Sequence, residues 1–172
     1  RDGRLVLLHD RTVQRTTDGA GLVWELDWEQ LQDLDAGAWF HPSFAGERIP
    51  SLQQVLERLA NTDTLLFIEL KEPERQPGLE EQVLEMVAGL QMERQVHILS
   101  FDKPSLHRIA ALQPEVTVSG LWRLALPRRS APLGVVNAWF LPYRLRPGAI
   151  ERVHQRGELA MAWGVRHPRA LG

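Results

Sequence analysis

Short apolar runs alternate with amphipathic stretches along the chain. The apolar runs, most of them nearly continuous, are Leu5–Leu8, Leu65–Leu70, Val96–Leu99, Val116–Leu121, Val135–Leu141 and Leu159–Ala162. Short continuous runs of this kind are typical of strands buried on both faces, as in parallel sheets. The segments between them place apolar side chains at helical spacing: Asp27–Leu34, Ser51–Leu59, Leu79–Leu90, Pro104–Leu112 and Pro147–Gln155.

From Leu65 onward the predicted strands and helices alternate, with roughly 20–30 residues per unit. This rhythm predicts a parallel α/β fold, and an open sheet and a (β/α) barrel share it. No Gly-x-Gly-x-x-Gly follows a predicted strand, so dinucleotide binding has no support. Residues 11–50 break the rhythm with several glycines and prolines, which predicts a surface insertion carrying one short helix.

Length and composition predict one domain over residues 1–172. Hydrophobic residues make up 44% of the chain, enough for a sizeable core. The net charge of −2 gives no electrostatic argument for nucleic acid or an anionic membrane as a partner. Without cysteine the chain has no disulfides, zinc-thiolate sites or cysteine catalysis. No apolar run approaches the ~18 residues of a membrane span, so no membrane insertion is expected.

Candidate chemistry follows the apolar runs, because functional groups gather at the carboxyl ends of parallel strands. The first run ends in His9-Asp10, and the second carries Glu69 and leads into Lys71. Residues two apart on a strand point to the same side, which in a barrel would be the interior. Glu69 and Lys71 could simply form an ion pair. Alternatively, Glu69 could hold a hard cation while Lys71 binds a phosphate oxygen.

Histidine titrates near neutrality, so His9 suits proton transfer to or from a leaving oxygen, although a histidine at a strand end can also be structural. Asp10 could orient the imidazole or cap the following turn. Trp163 is either a core residue or an apolar wall for a substrate. The other histidines have no partner pattern and are interpreted as ordinary surface or loop residues: His41, His97, His107, His154 and His167.

Several segments, in this order, resemble the glycerophosphodiester phosphodiesterase family. The central signature of the family is matched by Asp2–Asp10, followed by Thr12, Arg15–Thr17 and Gly19. Its insertion and the following strands are matched by Leu34–Gly37, Trp39-Phe40, Phe44–Glu47, Ile49–Leu52, Ile68–Lys71 and Ser100–Asp102. Ala162–Val165 resembles the family's Trp-Thr-Val-Asn more loosely, with departures at Gly164 and Arg166.

The resemblance implies a (β/α)8 TIM barrel of the phosphodiesterase type. It also implies hydrolysis of glycerophosphodiesters to an alcohol and glycerol 3-phosphate with a divalent cation, Mg²⁺ or Ca²⁺. Under it, His9 matches a general acid/base, and the neighbouring Asp10 is expected to support it. Glu69 matches a metal ligand, while Lys71 and Trp163 match residues that bind the substrate.

Other motifs of the family are not found in matching context in this sequence. The opening His-Arg-Gly and the final strand with Gly-x-Asp-Gly are absent, and no Glu-x-Asp stands in the context that the family gives it. The resemblance therefore predicts an incomplete barrel, and the 172-residue chain alone is expected to be inactive and poorly folded.

Two alternatives to this assignment stay open. One is a related phospholipase D-like enzyme of the same barrel superfamily, and the other is a non-catalytic barrel that serves as a scaffold or binding domain. The insertion motif favours the phosphodiesterase over the first, and the joint presence of His9, Glu69 and Lys71 argues against the second. Head-group preference and oligomeric state are left open. A cytoplasmic location is expected, with a periplasmic or secreted one as the alternative.

Overall fold

The computed structural model describes residues 2–122, 135–138, 148, 151, 154–155 and 159–161. The chain divides into two compact units, Arg1–Asn61 and Thr62–Gly172. In the part of the chain that is described, no helix is long and apolar enough to cross a membrane.

Short helices and turns form the first unit. Its helices are α1 (Trp28–Gln32) and α2 (Leu52–Leu59), and single 3-10 turns cover Val23–Glu25 and Pro42–Phe44. They surround a small core of Val13, Leu31 and Ile49, each at most 4% exposed. The insertion predicted over residues 11–50 thus contributes a buried centre of its own.

Both helices predicted in this unit are present, although α1 is shorter than the predicted Asp27–Leu34. Each begins where a polar side chain satisfies a backbone N–H that has no partner within the helix. Gln30 accepts a hydrogen bond from the Asp27 N–H at 2.9 Å. Ser51 accepts from the Gln54 N–H at 3.2 Å, and Gln54 accepts from the Ser51 N–H at 2.9 Å.

The prediction of a strand over Leu5–Leu8 is wrong. Val6 forms only an isolated antiparallel bridge with Ser51, and the four residues are half-buried. The Leu7 N–H donates to the Pro50 carbonyl at 3.0 Å, and the Leu52 N–H donates to the Leu5 carbonyl at 2.9 Å. An apolar run makes a strand only where a long enough neighbour pairs with it. Here the partner segment turns into α2 after one bridge.

One carboxylate organises the loop between α1 and α2. Asp35 accepts hydrogen bonds from the N–H groups of Gly37 and Ala38, both at 2.8 Å, and of Gly46 at 2.7 Å. The hydrogen bond from the Ala38 N–H is the main reason why the pKa of Asp35 is lowered, with Gly46 and Gly37 adding to it. The loop is therefore closed at both ends by one charged side chain.

Replacing Gly37 by alanine should destabilise this unit. A Cβ at position 37 would lie far inside van der Waals contact with the backbone carbonyl of Phe44, which cannot move aside as a flexible side chain could. We expect a loss of about 1–3 kcal/mol in the free energy of unfolding, measured by urea denaturation. Gly89→Ala is the control, because nothing lies within 4 Å of its Cβ position. Equal stability of the two variants would contradict this packing.

A parallel sheet forms the second unit. Its strands are β1 (Leu66–Leu70), β2 (Val96–Ser100), β3 (Thr117–Trp122), β4 (Val135–Ala138) and β5 (Leu159–Met161). They are paired in the order β1-β2-β3-β4-β5, each parallel to the next. The predicted strands are confirmed within the described residues, and the parallel order predicted from the alternating pattern is observed.

Helices α3 (Leu79–Gly89) and α4 (Lys103–Leu112) connect β1 to β2 and β2 to β3. Their bounds differ from the predicted ones by a single residue at one end. Helix α4 packs against β2 and β3, and its Leu106 and Ile109 are fully buried. The helix predicted over Pro147–Gln155 lies mostly outside the described residues.

Strand β1 is not buried on both faces, contrary to the expectation from its continuous apolar run. Ile68 and Leu70 are buried, whereas Phe67 is 40% exposed and Glu69 is half-buried. The register pairs Ile68 with Ile98 and Leu70 with Ser100, so the buried residues of β1 and β2 share one face. The opposite face of β1 is open among the described residues, and it carries Glu69.

A buried carboxylate joins the two helices. Glu80 of α3 is 2% exposed and accepts a hydrogen bond from Arg108 of α4. Burial raises the pKa of Glu80, but the hydrogen bonds that it accepts outweigh burial, so the pKa lies below the ordinary value of 4.5. Folding therefore favours the ionised form of this side chain.

The pH dependence of stability should reflect Glu80. Because its pKa is depressed in the folded state, its ionised form stabilises the fold above pH 4.5, and this contribution disappears as the pH falls through the lower folded pKa. Glu80→Gln should therefore be less stable than the wild type at pH 7, and the difference should shrink below pH 4.5. Urea denaturation at several pH values measures this. Glu85→Gln, exposed on the same helix, is the control. A difference that stays constant with pH would rule the explanation out.

Candidate active site

His9 lies at the surface of the first unit, and its imidazole is hydrogen-bonded to Asp10. The distance between His9 Nδ1 and Asp10 Oδ1 is 2.7 Å, and the His9 side chain is 76% exposed. An ionised carboxylate can only accept a hydrogen bond, so Nδ1 carries the proton in this contact. In neutral His9 the lone pair is then on Nε2. Asp10 orients the imidazole, which is one of the two roles considered for it from the sequence.

Arg15 holds the same carboxylate with two hydrogen bonds. Its Nε donates to Asp10 Oδ2 at 2.5 Å, and its terminal nitrogen donates to Oδ1 at 3.0 Å. The hydrogen bonds from Arg15 first and His9 second keep the pKa of the Asp10 carboxyl well below its usual range. Asp10 is therefore ionised at neutral pH.

Glu69 and Lys71 lie together at the carboxyl end of β1. Lys71 Nζ is 3.2 Å from Glu69 Oε1, so the two side chains are on the same side, as strand alternation predicts. The side chains are 28% exposed at Glu69 and 37% exposed at Lys71. A pair this exposed stabilises a fold by only about 0–1 kcal/mol, so stability alone gives little reason for two charges here.

The backbone turns sharply directly after this pair. Glu72 has a φ of +49°, in the left-handed region that residues other than glycine seldom adopt. The turn is held by the Gln76 side chain, which donates to the Lys71 carbonyl at 3.3 Å, and by an ion pair between Glu72 and Arg75 at 3.4 Å. The strand therefore ends at Leu70, and Lys71 follows it directly at the rim of the sheet.

The Ser-Phe-Asp segment after β2 has a structural role. Ser100 Oγ donates to the Leu70 carbonyl at 2.9 Å and accepts from the Asp102 N–H at 3.0 Å. Asp102 then caps α4 by accepting from the Ser105 N–H at 2.8 Å. These contacts fix the carboxyl ends of β1 and β2 beside each other, next to Glu69 and Lys71.

The interpretation of His97 as an ordinary surface or loop residue is wrong. The residue is half-buried in β2, where its ring stacks on Phe67 at a centroid distance of 5.0 Å and its Nε2 is 2.5 Å from Ser119 Oγ. Burial lowers the pKa of His97, so the neutral ring predominates at neutral pH. The partners lie on neighbouring strands, and no local sequence pattern could indicate them.

The sequence profile of the family described as "Glycerophosphoryl diester phosphodiesterase family" matches residues 1–171 of this chain. The chain belongs to this family. A glycerophosphodiester phosphodiesterase of Caldanaerobacter subterraneus subsp. tengcongensis is 36% identical over 146 residues, which is 84% of this chain and 56% of that protein. One from Bacillus subtilis is 35% identical over 133 residues, 67% of this chain and 44% of that protein. The chain thus spans about half the length of these curated relatives.

Solved structures of the family have the same fold. The glycerophosphodiester phosphodiesterase of Agrobacterium tumefaciens matches 94% of this chain and 68% of its own, with a TM-score of 0.76 and 28% identity. An Oleispira antarctica phosphodiesterase, in complex with the product sn-glycerol-3-phosphate, matches 99% of this chain and 71% of its own. Its TM-score is 0.81 and its sequence identity is 26%. These family members are TIM barrels, so the predicted fold class is confirmed, and the strands β1 to β5 are part of that barrel.

The donor chemistry of Glu69 suits a hard cation. Mg²⁺ is usually held by one or two carboxylates together with water and substrate oxygens, and Ca²⁺ takes carboxylate oxygens as well. Among the described residues, no group of three His, Cys, Asp or Glu side chains could hold a metal. Glu69 thus has the donor chemistry of a single carboxylate ligand.

Four of the five predicted site residues form two contacting pairs, and the fifth is not among the described residues. His9 and Asp10 are joined by a hydrogen bond in the first unit, and Glu69 and Lys71 form an ion pair in the second. Trp163 lies outside the described residues. The sequence analysis assigned no role to Arg15, although Asp10 and Arg15 both belong to the signature segment. The residues between them form no helix or strand, so their spacing could not predict the contact between them.

Proposed function

We propose that the protein carrying this sequence is a divalent-cation-dependent phosphodiesterase. It would hydrolyse small glycerophosphodiesters to an alcohol and sn-glycerol 3-phosphate. Membership of the family supports this, as does the product bound to the Oleispira antarctica phosphodiesterase. The observation that carries the proposal is the hydrogen bond at 2.7 Å by which Asp10 orients an exposed His9.

His9 is proposed to move the proton that the reaction requires. Hydrolysis breaks the bond between phosphorus and the alcohol oxygen, water adds its oxygen to phosphorus, and the leaving oxygen takes up a proton. Because Asp10 keeps the proton on Nδ1, the Nε2 atom of His9 is the one that gives or takes the proton at the reacting oxygen.

Lys71 is proposed to bind a phosphoryl oxygen. Its ammonium is 37% exposed at the rim of the sheet, and Glu69 holds it in place at 3.2 Å. An ammonium there would offset negative charge that develops on the phosphoryl oxygens. Trp163 is proposed as an apolar wall of the substrate pocket.

Glu69 is proposed as one carboxylate ligand of the cation, Mg²⁺ or Ca²⁺. When bound, such a cation supplies positive charge that polarises the phosphoryl group. The chain's own part is to hold the carboxylate on β1, where Lys71 approaches one of its oxygens. Glu69 would then be both the ion-pair partner of Lys71 and a ligand of the cation.

Product analysis tests the proposal. The purified protein that carries this sequence is incubated with glycerophosphocholine and Mg²⁺ or Ca²⁺, with and without a chelator, and the products are separated. We expect choline and glycerol 3-phosphate, formed only when the cation is available. Phosphocholine as the product, or a rate unaffected by the chelator, would contradict the proposal. Activity on lysophosphatidylcholine in place of glycerophosphocholine would favour the related phospholipase D-like enzyme instead.

A further inference from the structure

Among the described residues, packing does little to fix the exposed ring of His9. The side chain is 76% exposed, and the hydrogen bond to Asp10 is the contact that the structure gives it. The side chain of Asp10 is itself 27% exposed, and the residue lies in a bend of the backbone. An aspartate in this setting could rotate and release the imidazole, so the orientation of His9 depends on what holds Asp10.

Arg15 provides that restraint. Its two hydrogen bonds, 2.5 Å to Oδ2 and 3.0 Å to Oδ1, engage both oxygens of Asp10 and set the plane of the carboxylate. Paired bonds between a guanidinium and a carboxylate are stronger and more directional than a single contact to an ammonium. Oδ1 is shared between Arg15 and His9, so the guanidinium also fixes the oxygen that receives the Nδ1 proton.

Arg15 is in turn in contact with the aromatic loop, which is the segment between α1 and α2 that carries Trp39. The guanidinium carbon lies 5.8 Å from the centroid of the Trp39 ring, in cation–π geometry. Trp39 is fixed because its Nε1 donates to the Ala36 carbonyl at 2.9 Å, in the loop that Asp35 closes. A continuous set of contacts therefore runs from this loop through Arg15 and Asp10 to His9.

We propose that Arg15 is a positioning residue for His9, acting through Asp10 so that His9 keeps its Nδ1 proton and presents Nε2 to the substrate. The proposal rests on the function proposed above, because it assigns the orientation of the histidine that transfers the proton. The low pKa of Asp10 agrees with it, since Arg15 is the main cause that keeps this carboxylate ionised and able only to accept.

Two readouts test this role in Arg15→Ala and Arg15→Lys variants of the protein. The first is the His9 tautomer, read from imidazole ¹⁵N chemical shifts. The second is kcat and KM for glycerophosphocholine. We expect loss of the pure Nδ1–H form and a fall in kcat of about 10-fold to 100-fold with little change in KM. Lysine, which keeps the charge but not the paired hydrogen bonds, should give an intermediate result.

The matched control is Arg4→Ala. Arg4 also lies over a tryptophan ring, that of Trp28 at 5.2 Å, but it donates no side-chain hydrogen bond to Asp10. This variant should keep both the tautomer and kcat. In an Asp10→Asn background, Arg15→Ala should cause no further fall in kcat, because the two residues act as one unit.

An unchanged tautomer and unchanged kcat in Arg15→Ala would overturn the proposal. So would a fall in kcat that is equally large in the wild-type background and in the Asp10→Asn background. If the wild-type protein does not hydrolyse glycerophosphodiesters, the proposed function fails. The tautomer measurement then decides the role of Arg15 by itself, so the two failures are distinguishable.

Discussion

Replacing His9 by alanine should lower kcat for glycerophosphocholine hydrolysis by about 10²-fold to 10⁴-fold, the usual contribution of a general acid or base. The imidazole that Asp10 orients at 2.7 Å is lost, and no described neighbour can take over the proton transfer at the same place. Steady-state kinetics at saturating cation measure the effect. KM should change much less than kcat, because His9 acts on the reacting oxygen and is not proposed to bind the phosphate.

The matched control for this variant is His107→Ala. His107 is exposed on α4 and is not part of the proposed machinery, so its removal should leave kcat within a factor of about two of the wild type. Because the His9 side chain is 76% exposed, its removal should also leave the free energy of unfolding nearly unchanged. A His9→Ala protein with normal turnover would exclude His9 as the general acid or base.

The second large effect is expected at Glu69. Glu69→Gln keeps the size of the side chain and one acceptor oxygen, but it replaces the other oxygen by a donor and removes the charge that attracts a cation. We expect the cation affinity to fall by roughly 100-fold, at the upper end of what even outer-shell changes cost at metal sites. Calorimetric titration with Mg²⁺ and Ca²⁺ measures this without any need for turnover.

A neutral residue at 69 also frees Lys71 from its ion pair at 3.2 Å. An exposed pair contributes little to stability, so Glu69→Gln should unfold at nearly the wild-type urea concentration. Glu85→Gln, which removes an exposed carboxylate on α3, is the matched control and should bind cations as the wild type does. Equal cation affinity of the Glu69 and Glu85 variants would show that Glu69 is not a ligand.

Much of the second unit could be predicted from the sequence, because its strands and helices follow strong local patterns. The runs around Ile68 and Ile98 are bounded by turn residues, and α3 and α4 repeat apolar residues at helical spacing. Elements of this type form wherever a sheet buries their apolar residues, so the alternating order of strands and helices indicates the fold.

The misjudged elements depend on partners that are distant in the sequence. Leu5–Leu8 has the composition of a strand, yet its backbone pairs only briefly with the segment that leads into α2. His97 acquires its partners from β1 and β3, through a register that no local pattern encodes. Strand pairing is therefore the step at which a single sequence loses predictive power here.

The candidate site could be predicted in part for the same reason. Glu69 and Lys71 are two residues apart on a strand, and that spacing alone places them on one side. The bond between His9 and Asp10 is also local. In contrast, the hydrogen bonds from Arg15 to Asp10 and the contact of Arg15 with Trp39 depend on how the turn and the aromatic loop fold.

The most direct test of the reaction itself is to hydrolyse glycerophosphocholine in ¹⁸O-labelled water with Mg²⁺ or Ca²⁺ present and to analyse both products by mass spectrometry. The proposed function predicts that the label enters the phosphate of glycerol 3-phosphate and that choline remains unlabelled, because water adds to phosphorus and the bond from phosphorus to the alcohol oxygen breaks. Label in choline, or no glycerol 3-phosphate at all, would contradict it.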